Sequence, residues 1–160
     1  MLERLKKSNK EIKLLDSNEK LPKLNLDEQQ VLQKCVLKLL EKNQVEIPIE
    51  HFIHNGVYSR TCKVPKGVMI AGAFLKVATT VIISGDCLVS FGLEPKRIIG
   101  HAVLRGEAGR RQLFTGIEDT YITMCFKTNA KTVEEAEREM TDESILLTNH
   151  REELNNLCLQ

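Results

Sequence analysis

The chain has 160 residues, a hydrophobic fraction of 42% and a formal net charge of +1. This length and hydrophobic fraction fit one globular domain with its own core, and the charge gives no general attraction to nucleic acid or anionic lipid. Aromatic residues make up 4% and tryptophan is absent, which disfavours carbohydrate-binding faces and stacking platforms for single-stranded nucleic acid. No apolar run approaches the length of a membrane span. We therefore expect neither membrane contact nor direct nucleic-acid binding.

Residues 1–44 predict a helical arm that is rich in Lys, Leu, Glu and Asn and contains no glycine. A first helical pattern is broken at Asp16-Ser17-Asn18 and Pro22. Asn25 predicts the N-cap of a second helix, because an asparagine oxygen can accept from the free amides of the first turn. We expect the apolar stripe of this helix to pack on the barrel or on a neighbouring subunit; it comprises Val31, Leu32, Cys35, Val36, Leu39 and Leu40.

Residues 45–128 predict a β-rich body. Short apolar runs alternate with turns that contain glycine, a pattern typical of a sandwich or barrel. Val57–Val64 and Thr120–Phe126 alternate with period two, as half-buried strands do. Pro65-Lys66-Gly67 predicts a turn, and we interpret Gly85-Asp86 and Gly100 as further turns between strands.

Residues 129–160 predict a helical segment. Thr132 and Glu135 have the spacing of a capping box, and a short last helix is predicted over 148–157. The stretch Glu134–Glu143 is strongly acidic. We interpret it as a solvated helix face, with docking onto a basic partner surface as the alternative.

The five cysteines are widely separated and show no metal or redox spacing. Their number is odd, so at least one thiol is not paired within the chain, and each lies beside apolar residues. Cysteine in such positions acts as a small hydrophobe. This usage predicts a reducing compartment.

The block from Tyr58 to Ser144 resembles cupins, and more specifically the small cupin-like proteins of tailed bacteriophages and prophages. No single piece carries the resemblance; the order and spacing of several pieces do. These are Gly56–Arg60, Val64–Gly67, Ile82–Asp86, Pro95–Ile98, Gly109–Arg111, Glu118–Thr120 and the acidic stretch Glu134–Ser144. The resemblance implies a jelly-roll barrel and covers a little over half of the chain.

The metal ligands of cupins are missing from the matching positions. Such a site uses two His and a Glu in a first motif and a third His in a second, because imidazole and carboxylate hold transition metals. Here the first motif has Leu75, Val77 and a residue within Thr79 to Val81, and the second has Gln112. We therefore expect no metal, no cofactor and no metal-dependent activity.

We interpret the remaining histidines and acids as structural rather than catalytic residues. We expect surface or turn roles for His51 and His54 and a satisfied barrel position for His101. Glu118 and Asp119 are adjacent, so in a strand they would point to opposite faces and not act on one substrate atom. No catalytic residue is assigned.

The segment Gly106–Arg111 is the best candidate for ligand binding. Neighbouring guanidinium groups can clamp a phosphate or carboxylate, which gives Arg105, Arg110 and Arg111, with Arg60 at the barrel mouth. The alternative is that these arginines form salt bridges with Glu118, Asp119 or the acidic tail.

The sequence thus predicts a mainly β, cupin-like jelly-roll barrel (45–128) with an N-terminal helical arm (1–44) and a C-terminal helical segment (129–160). The resemblance implies a non-enzymatic phage structural or assembly protein of the virion head, neck or tail. Its expected partners are copies of itself and other virion proteins, and its expected location is the virion or the host cytoplasm. The alternative is an intracellular phage accessory protein that binds a small molecule or anion.

Overall fold

The computed structural model describes residues 19–147 and has a mainly β architecture. The strands are β1 (Lys20–Leu21), β2 (Ile49–His54), β3 (Val57–Val64), β4 (Met69–Ala71), β5 (Thr79–Phe91), β6 (Glu94–Gly106), β7 (Leu113–Gly116) and β8 (Thr120–Lys127). The helices are α1 (Leu26–Leu40) and α2 (Val133–Met140), followed by a 3₁₀ turn over Ser144–Leu146. Within these residues no helix is both long and apolar enough to cross a membrane.

The strands form a jelly roll with two sheets that share a long hairpin. The larger sheet has the order β1-β6-β5-β8-β3-β2, and the smaller one joins β4 to β7 and β7 to the second half of β5. Neighbouring strands are antiparallel except β1 and β6. This cupin-like jelly roll with a helix near each end confirms the predicted fold class. The first predicted helix, which precedes Asp16, and the predicted helix over 148–157 lie outside the described residues.

Gly85 and Gly100 lie within the strands of the β5–β6 hairpin rather than ending them. The two residues are register partners and both have positive φ, +148° and +85°. The hairpin therefore runs unbroken from one sheet into the other, and the interpretation of these glycines as turns was wrong. Glycine is a common turn residue, but inside a strand it also marks bends and close approaches of backbone.

Both helices are capped as the sequence predicts. Asn25 Oδ1 accepts from the amide of Glu28 at 2.9 Å, and the amide of Asn25 donates to Glu28 Oε2 at 2.9 Å. On α2 the Thr132 hydroxyl accepts from the amide of Glu135 at 3.2 Å, whereas the carboxylate of Glu135 accepts from the amide of Lys131. In the capping box of α2, the amide that donates to Glu135 is therefore that of Lys131 and not that of the N-cap residue Thr132.

The hydrophobic residues collect in two clusters. One fills the barrel with aliphatic side chains from both sheets, among them Val81, Ile83, Val89 and Leu104. The other packs α2 against Tyr58 and Phe126, through Ala136 and Met140. Of the α1 stripe, Leu32 and Val36 are buried within this chain, whereas Val31 and Leu40 are exposed.

Candidate functional site

A cavity of about 120 Å³ lies inside the barrel between the two sheets. Most of its wall is apolar, with Ile70 and Phe114 on one side and Val81, Ile122 and Met124 on the other. Met140, Leu146 and Leu147 contribute to the wall from the chain that follows the barrel. An apolar cavity of about 150 Å³ can hold benzene, so this one has room for a molecule of slightly smaller size.

Four polar side chains reach the wall: Arg60, Cys62, Arg110 and Gln112. Arg60 and Cys62 come from the inward face of β3, as the alternation of that strand predicts. Arg110 and Gln112 are two residues apart on the segment that leads into β7. Residues i and i+2 of an extended chain share a face, and the cavity wall includes both.

The Arg110 guanidinium is buried and has no carboxylate partner among residues 19–147. Its side chain donates from Nη1 to the carbonyl of Glu107 at 2.7 Å and from Nη2 to the Thr79 hydroxyl at 2.6 Å. Both acceptors are neutral, and the residue is only 1% exposed. Burial lowers the pKa of Arg110 to about 10, against a smaller attraction from the Glu107 carboxylate, so the group carries its charge at neutral pH.

Two buried nitrogens of the site lack hydrogen-bond partners: Arg110 Nε and Gln112 Nε2. Gln112 is 4% exposed. A buried donor without a partner costs about 1–3 kcal/mol, so native proteins leave few of them. Both residues contribute to the lining of the same cavity, but the two nitrogens themselves are enclosed by protein atoms.

Gly106 makes room for this guanidinium. A Cβ at position 106 would overlap the central carbon of the Arg110 guanidinium and lie 2.7 Å from Nε. Gly106 ends β6 directly opposite Thr79 in the register of β5 and β6. The same point of the sheet therefore supplies both the space for the guanidinium and one of its acceptors.

Arg60 holds an ion pair at the edge of the cavity. Its Nη1 lies 3.2 Å from Glu137 Oε1, and the Glu137 side chain is 1% exposed. Tyr58 packs nearby on the same face of β3; burial raises the pKa of its hydroxyl, against the opposing effect of Arg60. The pair fastens α2 to the barrel.

Arg111 points away from the cavity and forms a junction between three segments. Its Nη2 donates to both carboxylate oxygens of Glu143, at 2.6 and 2.8 Å, and to Gln33 Oε1 of α1 at 2.9 Å. The same carboxylate accepts from the amide of Phe74 at 2.9 Å. Arg111 thus binds the acidic tail, which is the alternative that the sequence left open.

The structure therefore separates the four arginines that the sequence groups together. Arg60 and Arg110 line one cavity, Arg111 lies on the opposite side of its strand segment, and Arg105 is exposed on β6. Adjacent arginines of an extended segment point to opposite sides, so Arg110 and Arg111 do not form one clamp.

Glu118, Asp119 and His101, which the sequence analysis considered, have structural partners. Lys66 Nζ donates to Glu118 at 2.7 Å, and Lys63 lies 3.0 Å from Asp119. His101 is on the outer face of β6, where its Nδ1 lies 2.9 Å from the Ser84 hydroxyl. His51 and His54 lie in β2, a strand that the sequence analysis missed; the Asn55-Gly56 turn, with φ of 48° and 74°, was the available signal.

The donor set of the cavity does not fit a transition metal. Its wall in the described chain includes Leu75 and Gln112, two of the positions that the resemblance matches to cupin metal ligands, and it contains no His, Asp or Glu. Burial raises the pKa of the Cys62 thiol to about 11, so this side chain is not a thiolate at neutral pH. No group of three or more His, Cys, Asp or Glu within residues 19–147 is placed to hold a metal ion.

Comparison with known proteins gives structural neighbours but no relatives by sequence. No family model matches the chain, and no curated protein matches it. Similar solved structures include a cupin superfamily protein from Desulfitobacterium hafniense (13% identity, 57% of this chain, 86% of that chain, TM-score 0.46). They also include an RmlC-like cupin with a double-stranded β-helix fold from Methanocaldococcus jannaschii (13%, 54%, 85%, 0.44). A third is KdgF from Halomonas sp. (12%, 56%, 86%, 0.46). At this identity the likeness concerns the fold alone.

Proposed function

We propose that this protein is a non-enzymatic binding protein that holds a small organic molecule inside its barrel. The observation that carries the proposal is the cavity of about 120 Å³ inside the barrel, whose mostly apolar lining includes the polar residues Arg60, Arg110 and Gln112. Binding sites for small molecules typically combine an apolar wall with a few polar groups that fix orientation. Of the two functions that the sequence analysis considered, this favours the alternative, a protein that binds a small molecule or anion.

The chemistry of the wall supports binding rather than turnover. Within residues 19–147 it offers no carboxylate or imidazole that could move a proton at the ligand. The Cys62 thiol, with its pKa raised to about 11, is a poor nucleophile at neutral pH because the thiolate is the reactive form.

The test is a screen of small branched acids, amides and alcohols by thermal shift. A ligand present at about 100 times its Kd adds roughly 2.7 kcal/mol to the free energy of unfolding, and for a chain of this size that raises Tm by about 5–10 °C. Ala73 lies in the cavity wall, so Ala73→Leu fills the space and should abolish the shift. Thr80→Leu, on the exposed side of β5, is the matched control and should keep it. A panel without any shift on the unmodified chain would overturn the proposal.

As a second candidate we propose a phage-type structural or assembly protein that works through homo-oligomers, as the resemblance implies. The supporting observation is the incomplete burial of the α1 stripe: Val31 and Leu40 are 43% and 41% exposed. Sedimentation should then show an oligomer that Val31→Asn with Leu40→Asn dissociates, and mass spectrometry should find the protein in purified virions. A monomer that is absent from particles would remove this candidate.

A further inference from the structure

The outer face of the large sheet, which points away from the barrel interior, combines exposed apolar residues with few charges. It is formed by five strands in the order β6-β5-β8-β3-β2, so β8 is the middle one. Several of its large side chains are at least 40% exposed: Phe52, Val57, Ile99, Val103 and Tyr121. An extended exposed face of this composition is typical of a surface that meets a partner.

The centre of this outer face is uncharged, and its hydroxyl groups bond each other. Two neighbouring rows across β5, β8 and β3 comprise Ile82, Thr123, Thr61, Thr80, Cys125 and Ser59. Thr61 Oγ1 lies 2.8 Å from Thr123 Oγ1, and in the next row Ser84 Oγ lies 2.9 Å from His101 Nδ1. A polar group that keeps its hydrogen bond avoids most of the cost of burial, so a partner can cover this centre without supplying new bonds.

The outer face is large enough for a specific protein interface. Strands lie about 4.8 Å apart, and residues on one side of a strand recur about every 6.7 Å, so each of them covers roughly 32 Å². Three or four outward residues on each strand therefore give roughly 500–600 Å² of flat surface over the five strands. A biological interface needs at least about 500 Å² from each partner, and the outer face meets that requirement.

The two long edges of the outer face carry opposite charges. Glu50 lies on β2 at one edge, and Arg105 lies on β6 at the other; both are exposed. The register places Glu50 in the row of Thr123 and Arg105 in the adjacent row, that of Cys125. Within residues 19–147 neither side chain forms a salt bridge. A two-fold axis along β8 exchanges the two edges, so it brings each acid next to an arginine.

The other charges of the outer face lie towards its ends. Lys63 is 3.0 Å from Asp119, and Arg97 is 2.6 Å from Asp86, so these four charges are balanced within the chain. Lys127 ends β8, and a long lysine side chain can keep its ammonium group in water while its stem contacts protein. The charges at the two long edges therefore decide which orientation of a partner is favoured.

We propose that the outer face packs against the same face of a second copy of this chain, with a two-fold axis along β8. Glu50 of each copy then lies next to Arg105 of the other, and Thr123 and Cys125 lie opposite their own counterparts. Protein sheets stack about 10 Å apart with their strands about 30° from parallel, and a two-fold contact uses one self-complementary surface twice. This inference goes beyond the proposed binding function and does not depend on it.

The experiment is a charge swap followed by sedimentation equilibrium of the full chain. The proteins compared are the unmodified chain, Glu50→Arg, Arg105→Glu and the double variant. We expect each single change to raise the dimer Kd at least about tenfold, because it puts like charges together at two places in the contact. The double variant should restore the Kd, since the same pairs form with their signs exchanged. Lys34→Glu, an exposed charge reversal on α1, is the matched control and should leave the Kd unchanged.

Alkylation of Cys125 by iodoacetamide gives a second readout that does not depend on charge. Cys125 lies beside the two-fold axis, so its rate of alkylation should fall at least about fivefold when the protein concentration rises above the dimer Kd. The partly buried Cys35 of α1 serves as the internal control and should react at a constant rate. In Arg105→Glu, Cys125 should react at the faster rate at both concentrations.

Each outcome supports or overturns the inference. A chain that stays monomeric overturns it, and so does a dimer that both single variants leave intact. If the single variants dissociate the dimer and the double variant does not restore it, the two-fold arrangement is wrong. A dimer that Val31→Asn with Leu40→Asn dissociates uses the α1 stripe instead, which also overturns the inference. The thermal-shift screen is read separately: a monomer that binds ligands leaves the proposed binding function standing, and a dimer that binds none removes only that function.

Discussion

Gly106→Ala tests whether the buried guanidinium depends on a missing side chain. A methyl group at position 106 would overlap the guanidinium of Arg110, which must then leave its two acceptors. Each hydrogen bond to a charged group contributes about 1.5–3 kcal/mol, and a displaced guanidinium recovers part of that from water. We therefore expect Gly106→Ala to lower the free energy of unfolding by about 2–3 kcal/mol, a large share of the 5–15 kcal/mol typical of a domain.

The effect of Gly106→Ala on the free energy of unfolding should change sign when Arg110 is removed. The three atoms nearest to a Cβ at Gly106 all belong to Arg110, so in an Arg110→Ala background the methyl group meets no guanidinium. The φ angle of Gly106 is not in the left-handed region, so alanine fits its backbone. Alanine then stabilises by about 0.4–1 kcal/mol, because it restricts the unfolded chain.

Urea denaturation of the four proteins measures this coupling. The cycle should give an interaction energy of about 3 kcal/mol, at the upper end for residues in contact, with m-values unchanged. The single variant should melt about 5–10 °C below the unmodified chain. If Gly106→Ala costs the same with and without Arg110, the steric argument is refuted and the glycine serves the strand instead.

Two further predictions concern the hairpin that joins the sheets. A Cβ at Gly85 would lie 2.7 Å from the Cα of Thr120, so we expect Gly85→Ala to cost about 2–4 kcal/mol from steric overlap and backbone strain. Gly100→Ala, which meets nothing within 4 Å, should cost about 1 kcal/mol; equal losses in urea denaturation would contradict the overlap. Asp86 accepts from Arg97 at 2.6 and 2.8 Å, and this hydrogen bonding lowers the pKa of Asp86. The pair therefore stabilises the fold above the ordinary pKa of an aspartate, and this contribution is lost as the pH falls through the lowered value. Asp86→Asn should weaken the dependence of the free energy of unfolding on pH in that acid range. An unchanged pH dependence would contradict the assignment.

The sequence predicted those features of the fold that depend on interactions between residues close together in the chain. The alternation of β3 and β8, the N-caps of both helices and the Pro65–Gly67 turn depend on neighbouring residues, and the structure has them where the sequence places them. Within β5, by contrast, Gly85 lies against Asp119 and Thr120 at the start of β8, a contact between residues far apart in the sequence. Glycine codes for a turn and for a bend alike, so the sequence did not distinguish them.

The candidate site was predicted by residue type but not by arrangement. Arg110 and Arg111 stood out as a pair, whereas the cavity lining includes Arg110 and Gln112 and not Arg111. Period-two alternation held the signal, because it places 110 and 112 on one face and 111 on the other. Which of the two faces looks inward is decided by packing against α1 and the tail, which no local pattern encodes.

The junction at Arg111 joins parts of the chain that sequence alone treats as separate modules. Arg111 is 3% exposed, and its guanidinium pairs with the Glu143 carboxylate and donates to Gln33 Oε1. Deleting α1 or the segment that contains Glu143 would remove a hydrogen-bond acceptor from the buried Arg111 guanidinium. Hydrogen exchange of α1 and of residues 141–147 should therefore report one shared opening free energy, so that neither end can be trimmed without loosening the other.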